Sequence, residues 1–395
     1  MNYNHLHKIF SQPLDHSNPN GVQFDQHIDI LVPHETKHDS PVFFHLGNEQ
    51  ALDKEKLELL YKAYGKRDDI IYIHAEHRGY GDSISFDEDQ SIPSYVTIDQ
   101  VLEDYHKIIN HLKKEYPGPW IGAGYSYGGG LVINFGAKYP KALSVILCSS
   151  GVIDWPFMMD AYDRQMRVNF GKDLYESIVH HIKNLTPRNV FDENWKEREF
   201  LIAVCHGMAQ REELQKILPA FYNFSLLQTS TFLEKLHDLD EKVGEGEGEG
   251  WNYALSNCKK DLTREEALTH KYSWRTWRFQ QYNETGVFEI SEKPNGIFPR
   301  KYSNFIEEGI AQFGEKPKSA INAEWSPRKM INQLKIPLIY VNGGKDPWNG
   351  LCLEKGQEIK NGRYFYFSEG YHCPEKSKLR RGKNVMETLI KFLEK

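Results

Sequence analysis

The stretch WIGAGYSYGGGLVINFGAKYP, residues 120–140, places a single serine, Ser126, among glycines and between two apolar runs. The run before the serine is typical of a buried strand, and the run after it has the pattern of a helix. Gly124 and Gly128 remove side chains that would collide where a strand turns sharply into a helix. The stretch therefore predicts a strand–turn–helix unit that presents the Ser126 hydroxyl, and the alternative is a glycine-rich turn without chemistry.

Around this unit, short apolar runs alternate with helical patterns along the chain. The apolar runs lie at 41–46, 70–75, 119–123, 144–149, 337–342 and 363–368. Several of them lack strict alternation, as expected of strands that are buried on both faces of a parallel sheet. Residues 97–116 and 382–395 have the spacing of amphipathic helices. The order of strands and helices predicts the α/β class, with a doubly wound and mostly parallel sheet.

The middle of the chain breaks this alternation, because its patterns are helical and it has few strand signals. We predict a core in two parts, residues 1–151 and 326–395, interrupted by a mostly helical cap insertion at 152–325. The repeat GEGEGEG at 244–250, inside the insertion, predicts a flexible solvated loop. Cation binding is the alternative for this repeat, although nothing there would hold ligands in a fixed geometry.

Composition limits the possible partners of the chain. A chain of 395 residues with 39% hydrophobic residues can bury a large core, and its net charge of −6 gives no reason to expect nucleic acid. No apolar run approaches the roughly 20 residues that span a bilayer, and no signal peptide is visible at the start. The five cysteines form no CxxC pair and favour reduced thiols, with Cys205–Cys258 and Cys352–Cys373 as candidate disulfides.

A serine nucleophile needs a base and a group that orients the base. Where G-x-S-x-G forms a nucleophile elbow, these groups follow the serine in the order acid, then histidine. After Asp261 the only aspartate is Asp346, after His270 the only histidine is His372, and each of the two follows an apolar run. We therefore predict Ser126 as nucleophile, Asp346 as orienting acid and His372 as general base. Taken singly, a loop aspartate and a surface histidine are the alternatives.

The negative charge of a tetrahedral intermediate needs two backbone amide donors. The amide of Tyr127, directly after the nucleophile, is predicted to be the first. The loop that follows the run at 41–46 is predicted to supply the second, from Gly47, Asn48 or Glu49, and spacing does not choose among the three.

Other side chains are open to a functional and a structural interpretation. His74 and His77 resemble a metal pair, but on a strand they would face opposite sides and no third ligand is spaced to join them, so we predict no metal and no cofactor. Glu49 and Glu284 are either partners of a substrate ammonium or solvated carboxylates. Three aromatic residues either line an apolar pocket or belong to the ordinary core: Trp277, Tyr282 and Trp348.

With these motifs placed, the chain resembles the family of prolyl carboxypeptidase and dipeptidyl peptidase II, serine peptidases of the α/β-hydrolase fold. Eight stretches in the right order carry the resemblance, and one of them lies inside the helical insertion. They are FSQPLDHSNPNGVQFDQ (10–26), PVFFHLGNE (41–49), AEHRGYGDS (75–83), YVTIDQVLEDYHKII (95–109), GYSYGGG with KYP (124–140), WRFQQYNETGVF (277–288), NGGKDPWNG (342–350) and GYHCPE (370–375). The first stretch and PGPWIGAG also look similar to bacterial secreted tripeptidyl aminopeptidases.

The resemblance implies an exopeptidase that cleaves peptides next to proline, in an apolar pocket roofed by the insertion. Ser126, Asp346 and His372 fall on the triad positions of the family. Trp348 falls on an aromatic residue associated with the proline pocket, whereas Gly130 stands where members usually carry methionine. The resemblance therefore implies a substrate pocket that is enlarged or reshaped at Gly130.

The resemblance also bears on disulfides, compartment and assembly. Tyr282 stands where the family usually has a cysteine, so that disulfide is expected to be missing. The family is typically lysosomal or secreted, whereas the sequence alone fits the cytoplasm, and relatives suggest a homodimer at most. We expect a serine exopeptidase that acts on peptides through an acyl-enzyme, with Glu49 and Glu284 favouring amino-terminal over carboxyl-terminal release. The alternatives are an esterase with the same triad and a non-catalytic binding protein on the same scaffold.

Overall fold

The structure of the chain is a computed structural model, and it describes ten stretches of the sequence. These are residues 3–52, 54–84, 93–155, 159–188, 192–212, 218–235, 273–286, 289–291, 295–314 and 325–394. The predictions for GEGEGEG and for Cys258 lie outside the described residues.

An eight-stranded sheet forms the centre of the fold. Its strands are β1 (Tyr3–Pro13), β2 (Gln23–Pro33), β3 (Val42–Leu46), β4 (Ile71–Ala75), β5 (Trp120–Tyr125), β6 (Val145–Ser149), β7 (Leu338–Gly343) and β8 (Gly362–Phe367). They lie in the order β1-β2-β4-β3-β5-β6-β7-β8. The β1–β2 and β2–β4 pairs are antiparallel and all other pairs are parallel.

The strands β3 to β8 are the six that the apolar runs predict, each within one or two residues of its observed bounds. Every residue of β3 to β7 is buried, which explains why their sequences are continuously apolar rather than alternating. The hairpin of β1 and β2 was not predicted. Most residues of β1 are exposed, so its sequence has no apolar run to reveal it.

Helices cover both faces of the sheet. The helices outside the β6–β7 connection are α1 (Lys54–Ala63), α2 (Ile98–Leu112), α3 (Tyr127–Lys138), α11 (Pro374–Ser377) and α12 (Leu379–Leu393). One hydrophobic core lies between the sheet and α2 and α3, and a second lies between the sheet and α1 and α12. The prediction of a doubly wound, mostly parallel α/β sheet is confirmed, and the fold is that of the α/β hydrolases.

All of the described elements between β6 and β7 are helical. They are α4 (Asp160–Phe170), α5 (Lys172–Asn184), α6 (Glu193–Gln210), α7 (Leu218–Ser225), α8 (Ser273–Gln280), a π-helical turn (Gln281–Thr285), α9 (Tyr302–Phe313) and α10 (Pro327–Ile331). The division at residues 152 and 325 remains a prediction. Within the described part of the chain, no helix is both long enough and apolar enough to cross a bilayer.

The cysteines correct one prediction. Cys148, Cys205, Cys352 and Cys373 are all buried free thiols, so the candidate disulfide Cys352–Cys373 is wrong. The Cys373 sulfur instead faces the Ser149 carbonyl oxygen at 3.8 Å. Cysteine spacing alone could not exclude the pair, because a disulfide depends on how close the fold brings the two Cα atoms.

Candidate active site

Ser126 occupies the sharp turn between β5 and α3. Its backbone has φ 55° and ψ −124°, a conformation that non-glycine residues rarely adopt. A Cβ atom at Gly124 would lie 1.9 Å from the carbonyl oxygen of Gly128, so the strand and the helix can approach this closely only without a side chain. The Ser126 hydroxyl is therefore held at the amino-terminal end of α3, where the helix dipole favours negative charge.

Asp346 and His372 form a hydrogen-bonded pair at the same edge of the sheet. Asp346 follows β7 and is fully buried, and its Oδ2 lies 2.9 Å from Nδ1 of His372. Its Oδ1 accepts a hydrogen bond from the Trp348 backbone N–H at 3.0 Å, which fixes the carboxylate. Because an ionised carboxylate can only accept, Nδ1 of His372 carries the proton and Nε2 is left as the basic nitrogen.

The loop that carries His372, residues 368–373 (the His372 loop), is attached on two sides. The His372 backbone N–H donates to the Gln210 carbonyl oxygen at 2.9 Å, at the end of α6. The Lys345 backbone N–H, beside Asp346, donates to the Gly370 carbonyl oxygen at 2.8 Å. The acid and the base are thus connected through main chain as well as through their side chains.

The turn that carries Ser126 and the loop that carries His372 are both hydrogen-bonded to the end of β6. The Ser126 backbone N–H donates to the Ser149 carbonyl oxygen at 3.0 Å. One residue further along, the Ser150 hydroxyl accepts a hydrogen bond from the Cys373 backbone N–H at 2.8 Å. Two consecutive serines therefore hold the turn of Ser126 and the loop of His372 next to each other.

Two electrostatic influences act on His372. Burial of the ring disfavours the charged imidazolium, but the Asp346 carboxylate, the neighbouring Cys373 sulfur and the hydrogen bond to Asp346 outweigh burial. The pKa of His372 is therefore raised above its ordinary value of 6.5. The pKa of the Cys373 thiol is lowered, because Lys376 and His372 together outweigh the opposing effect of burial.

The structure narrows the choice for the second amide donor. The Gly47 backbone N–H donates to the Ala75 carbonyl oxygen at 2.9 Å, and the Gly47 carbonyl oxygen accepts from the Tyr105 hydroxyl at 2.9 Å. Gly47 is thus committed to the core and is not the oxyanion donor. Asn48 is buried, and a Cβ atom at Gly128 would lie 3.4 Å from its Cβ, which brings the Asn48 main chain close to the start of α3.

Aromatic residues surround Tyr127, the residue after the candidate nucleophile. The Tyr127 ring lies edge-on to Trp277 with a centroid distance of 5.1 Å and stacks on Trp155 at 5.8 Å. A Cβ atom at Gly130 would lie 2.7 Å from the Trp155 ring. The expectation that Gly130 enlarges the pocket needs correction, because Trp155 fills the space that a side chain at position 130 would take.

A second aromatic group lies beside Asp346 and His372. The Trp348 ring packs edge-on against Tyr162 at 4.6 Å and against His206 at 5.6 Å, and His206 stacks on Tyr162 at 5.0 Å. Burial lowers the pKa of His206 to about 4, so this ring is neutral. Tyr162 and His206 could not be identified from the sequence, because a single aromatic residue on an amphipathic helix is typical of the core.

Two other predicted site residues have structural partners. Tyr282 is buried among Phe305 and Phe313, and its hydroxyl donates to the Phe305 carbonyl oxygen at 2.7 Å, so it belongs to the core. Glu284 accepts a hydrogen bond from the Ile98 backbone N–H at 3.1 Å, at the start of α2. Tyr282 therefore belongs to the core, and Glu284 is tied to the start of α2.

Glu49 and Glu284 both lie near Tyr127. Burial, and next the carboxylates of Glu284 and Glu49, hold the pKa of the Tyr127 phenol well above its ordinary range. The Tyr127 hydroxyl accepts a hydrogen bond from the Gln280 side chain at 2.9 Å. The two carboxylates come from different parts of the chain, and both act electrostatically on the residue that follows Ser126.

His74 and His77 do not converge on a common point. The His74 ring stacks on His45 at 4.2 Å, whereas His77 pairs with the Arg78 carbonyl oxygen at 2.7 Å and with the Tyr127 hydroxyl at 3.4 Å. Across the described residues, no group of three or more His, Cys, Asp or Glu side chains could hold a metal ion.

Arginines and carboxylates form a buried group among the helices, here called the ionic cluster. It consists of Arg198, Glu199, Arg278, Glu289, Arg300 and Glu308. Arg300 is 1% exposed and pairs with Glu199 and, at 3.0 Å, with Glu308. The pKa of Glu199 is lowered despite burial, because Arg300 and Arg198 lie beside it.

Comparison with known proteins gives one matching family and several relatives along most of the chain. Residues 12–185 match the family described as serine carboxypeptidase S28. The human lysosomal Pro-X carboxypeptidase is 31% identical over 397 residues, which cover 88% of this chain and 78% of the human protein. A probable serine protease of Arabidopsis thaliana is 20% identical over 432 residues, covering 98% of this chain and 85% of the plant protein.

Solved structures similar to the chain are more distant. A probable hydrolytic enzyme of Pseudomonas aeruginosa has a TM-score of 0.44 and 12% identity, over 99% of this chain and 95% of the other. A proline iminopeptidase of Mycobacterium smegmatis has a TM-score of 0.42 and 12% identity, over 98% and 99%. Similarity to these structures is too low to support an argument about activity. The human protein, in contrast, matches over most of both chains at 31% identity, which is enough to assign the family. The chain therefore belongs to the serine carboxypeptidase S28 family, the family of prolyl carboxypeptidase, and is a serine-type peptidase.

Proposed function

We propose that the chain is a serine exopeptidase that hydrolyses short peptides next to proline, with Ser126, His372 and Asp346 as its catalytic triad. The observation that carries this proposal is the junction at the end of β6. There the Ser126 backbone N–H bonds to Ser149, and the backbone N–H of Cys373, the residue after His372, bonds to the adjacent Ser150, while the His372 ring bonds to Asp346. A nucleophile, a base and an orienting acid in this order and at one sheet edge are what acyl transfer requires.

The reaction begins with a neutral His372 that carries its proton on Nδ1, so that Nε2 is free to accept another. Its Nε2 takes the proton of the Ser126 hydroxyl as the serine oxygen attacks the carbonyl carbon of the scissile bond. The C–N bond then breaks, and Nε2 returns the proton to the leaving amine, which leaves an ester on Ser126. Water repeats the sequence, giving its proton to Nε2 and its hydroxyl to the acyl carbon, and Ser126 recovers its proton.

The oxyanion is proposed to be held by the backbone amides of Tyr127 and Asn48. Tyr127 begins α3, whose amino-terminal end favours negative charge. The bond from the Gly47 amide to Ala75 removes the nearest competitor of Asn48. Loss of one such donor in a comparable site costs on the order of a hundredfold in rate or more.

Proline next to the scissile bond is proposed from the relatives and from the aromatic surroundings. The human relative is named a Pro-X carboxypeptidase. Trp277 packs against Tyr127, the residue after Ser126, and Trp348 lies two residues after Asp346, and their flat apolar rings suit a pyrrolidine ring.

Two candidates remain for the end of the peptide that is released. We favour the amino-terminal end, because the carboxylates of Glu49 and Glu284 near Tyr127 suit a substrate ammonium. Release from the carboxyl end is the second candidate, and the name of the human relative favours it.

One peptide series tests the triad, the proline and the end together. Short peptides with or without an internal proline are supplied free, acetylated at the amino end, or amidated at the carboxyl end, and products are identified by mass spectrometry. We expect cleavage of free and amidated proline peptides and none of acetylated ones. Cleavage of acetylated but not amidated peptides would instead establish the second candidate.

The same series is run with Ser126→Ala, using Ser144→Ala as the matched control because Ser144 is exposed. We expect Ser126→Ala to lower kcat by on the order of 10⁶, as in other triads, and Ser144→Ala to behave as wild type. Turnover that survives in folded Ser126→Ala protein would refute the proposed triad.

A further inference from the structure

We propose that Glu375 is a positioning residue that holds the His372 loop in register with Ser126 through Ser149. This inference rests on the proposed triad. Glu375 lies three residues after His372, in α11, and is fully buried, so it does not contact substrate.

The first connection runs through Ser149 at the end of β6. The Ser149 hydroxyl donates to Oε2 of Glu375 at 2.9 Å, while the Ser149 carbonyl oxygen accepts the Ser126 backbone N–H at 3.0 Å. Ser149 is also fully buried and pairs with Tyr125 in the sheet. One residue thus bonds to the nucleophile through its main chain and to the segment of the base through its side chain.

The second connection runs through two tyrosines. The Tyr64 hydroxyl donates to Oε1 of Glu375 at 3.2 Å and lies 2.8 Å from the Tyr125 hydroxyl. Tyr125 directly precedes Ser126 in β5, and Tyr64 directly follows the end of α1. Oε2 of Glu375 is therefore connected to Ser126 through Ser149. Oε1 is connected to Tyr125, the residue before Ser126, through Tyr64.

The buried environment explains why a carboxyl group suits this position. Burial raises the pKa of Glu375, although Lys376 acts in the opposite direction. A buried carboxyl group is stable only when its oxygens are bonded, and here two hydroxyl groups bond them. Together with the Cys373–Ser150 bond, this fixes the chain on both sides of Pro374.

The expected consequence is an effect on rate rather than on substrate affinity. Catalysis depends on the placement of base and nucleophile, and an error of about 1 Å can cost on the order of a hundredfold. Removing the Glu375 side chain frees the His372 loop relative to Ser126, whereas the surfaces that would bind substrate are unchanged. We therefore expect kcat to fall and KM to stay nearly constant.

The test uses the full chain and a cleavable proline peptide, with kcat, KM and the rate of Ser126 labelling by a fluorophosphonate measured per folded molecule. Glu375→Ala is expected to lower kcat and the labelling rate about 10- to 100-fold, with KM changed less than about threefold. Glu375→Gln keeps an acceptor for Ser149 and is expected to restore most of the rate. Tyr64→Phe and Ser149→Ala, milder changes, are expected to cost about 2- to 10-fold each in kcat.

Asp29→Ala is the matched control, because Asp29 is a buried carboxylate on β2, away from the site, that accepts a hydrogen bond from His7 on β1. It is expected to lower stability without lowering kcat. Equal effects of Glu375→Ala and Asp29→Ala on kcat, or an effect of Glu375→Ala on KM alone, would overturn the positioning role. If Glu375→Ala does not fold, unchanged kcat in both Tyr64→Phe and Ser149→Ala would overturn it.

The same measurements separate this inference from the proposed function. If wild-type activity survives Ser126→Ala, the triad fails and the positioning role fails with it. If Ser126→Ala abolishes activity while the Glu375 variants keep wild-type kcat, only the positioning role fails.

Discussion

The carboxyl edge of the sheet and the helices between β6 and β7 stabilise their buried charges in different ways. At the sheet edge, Asp346 accepts hydrogen bonds from the Trp348 backbone N–H and the His372 ring, and Glu375 accepts one from the Ser149 hydroxyl, so arginine plays no part in those bonds. Among the helices, the ionic cluster brings arginines and carboxylates together from segments more than 100 residues apart in sequence.

The difference separates two kinds of function. Main-chain and hydroxyl donors at the sheet edge fix geometry, so changes there are expected to alter rate. Charges in the ionic cluster compensate one another in a dry interior, so changes there are expected to alter stability. Each of the following predictions tests a part of this separation.

Arg300 offers the largest expected effect on stability. Arg300→Met would leave Glu199 and Glu308 buried without their main partner, and we expect the free energy of unfolding to fall by about 3–5 kcal/mol. Arg167→Met is the matched control, since Arg167 and Glu176 are about half exposed and such pairs contribute about 0–1 kcal/mol. Denaturation in urea measures both. Equal losses would contradict the role of the ionic cluster, and a loss of kcat per folded molecule in Arg300→Met would break the separation.

Gly130 tests whether α3, at the sheet edge, depends on the segment that leads from β6 into the helices, because that segment carries Trp155. Gly130→Met forces side-chain atoms into Trp155, and we expect a loss of about 1–3 kcal/mol from overpacking. Trp155→Ala in the same chain removes the obstacle. The double variant should be more stable than the sum of the single losses predicts, by about 0.5–3 kcal/mol. Additive losses in a double-mutant cycle would show that Trp155 does not determine the residue at position 130.

The pH dependence is the smallest expected effect. His372 acts as a base only when neutral, and its pKa is raised, so the neutral fraction increases with pH through a midpoint above 6.5. We expect kcat/KM to rise along this acidic limb. In Asp346→Asn the loss of the carboxylate should move the midpoint to lower pH, even though the rate itself is much lower. A midpoint at or below 6.5 in the wild type would contradict the observed environment of His372.

The strands of the sheet were predictable from the sequence, and the candidate triad could be chosen from it, because both have local signatures. Buried parallel strands leave continuous apolar runs, and the turn at Ser126 requires glycines at fixed spacing. Asp346 and His372 could then be chosen as acid and base, because aspartate and histidine are scarce near the end of the chain. The exposed strand β1 has no such run and was missed.

The residues that were misjudged depend on contacts between distant segments. Gly130 is explained by Trp155, and Tyr282 is explained by Phe305, neither of which the local sequence identifies. Gly47 was eliminated as an amide donor only when its bond to Ala75 was seen. Glycine and tyrosine residues are compatible with a pocket and with a core, and only the packing decides between them.

The backbone around the site has a consequence for attempts to make the protein more heat-resistant. Ser126, Ser150 and Cys373 all have positive φ angles without being glycine, and such residues cost about 1–3 kcal/mol each. Glycine at Ser150 would relieve this strain but would also delete the hydroxyl that binds the Cys373 amide. Selection for thermal tolerance alone would therefore favour substitutions that loosen the His372 loop, so a screen for robust variants needs to select for turnover at the same time.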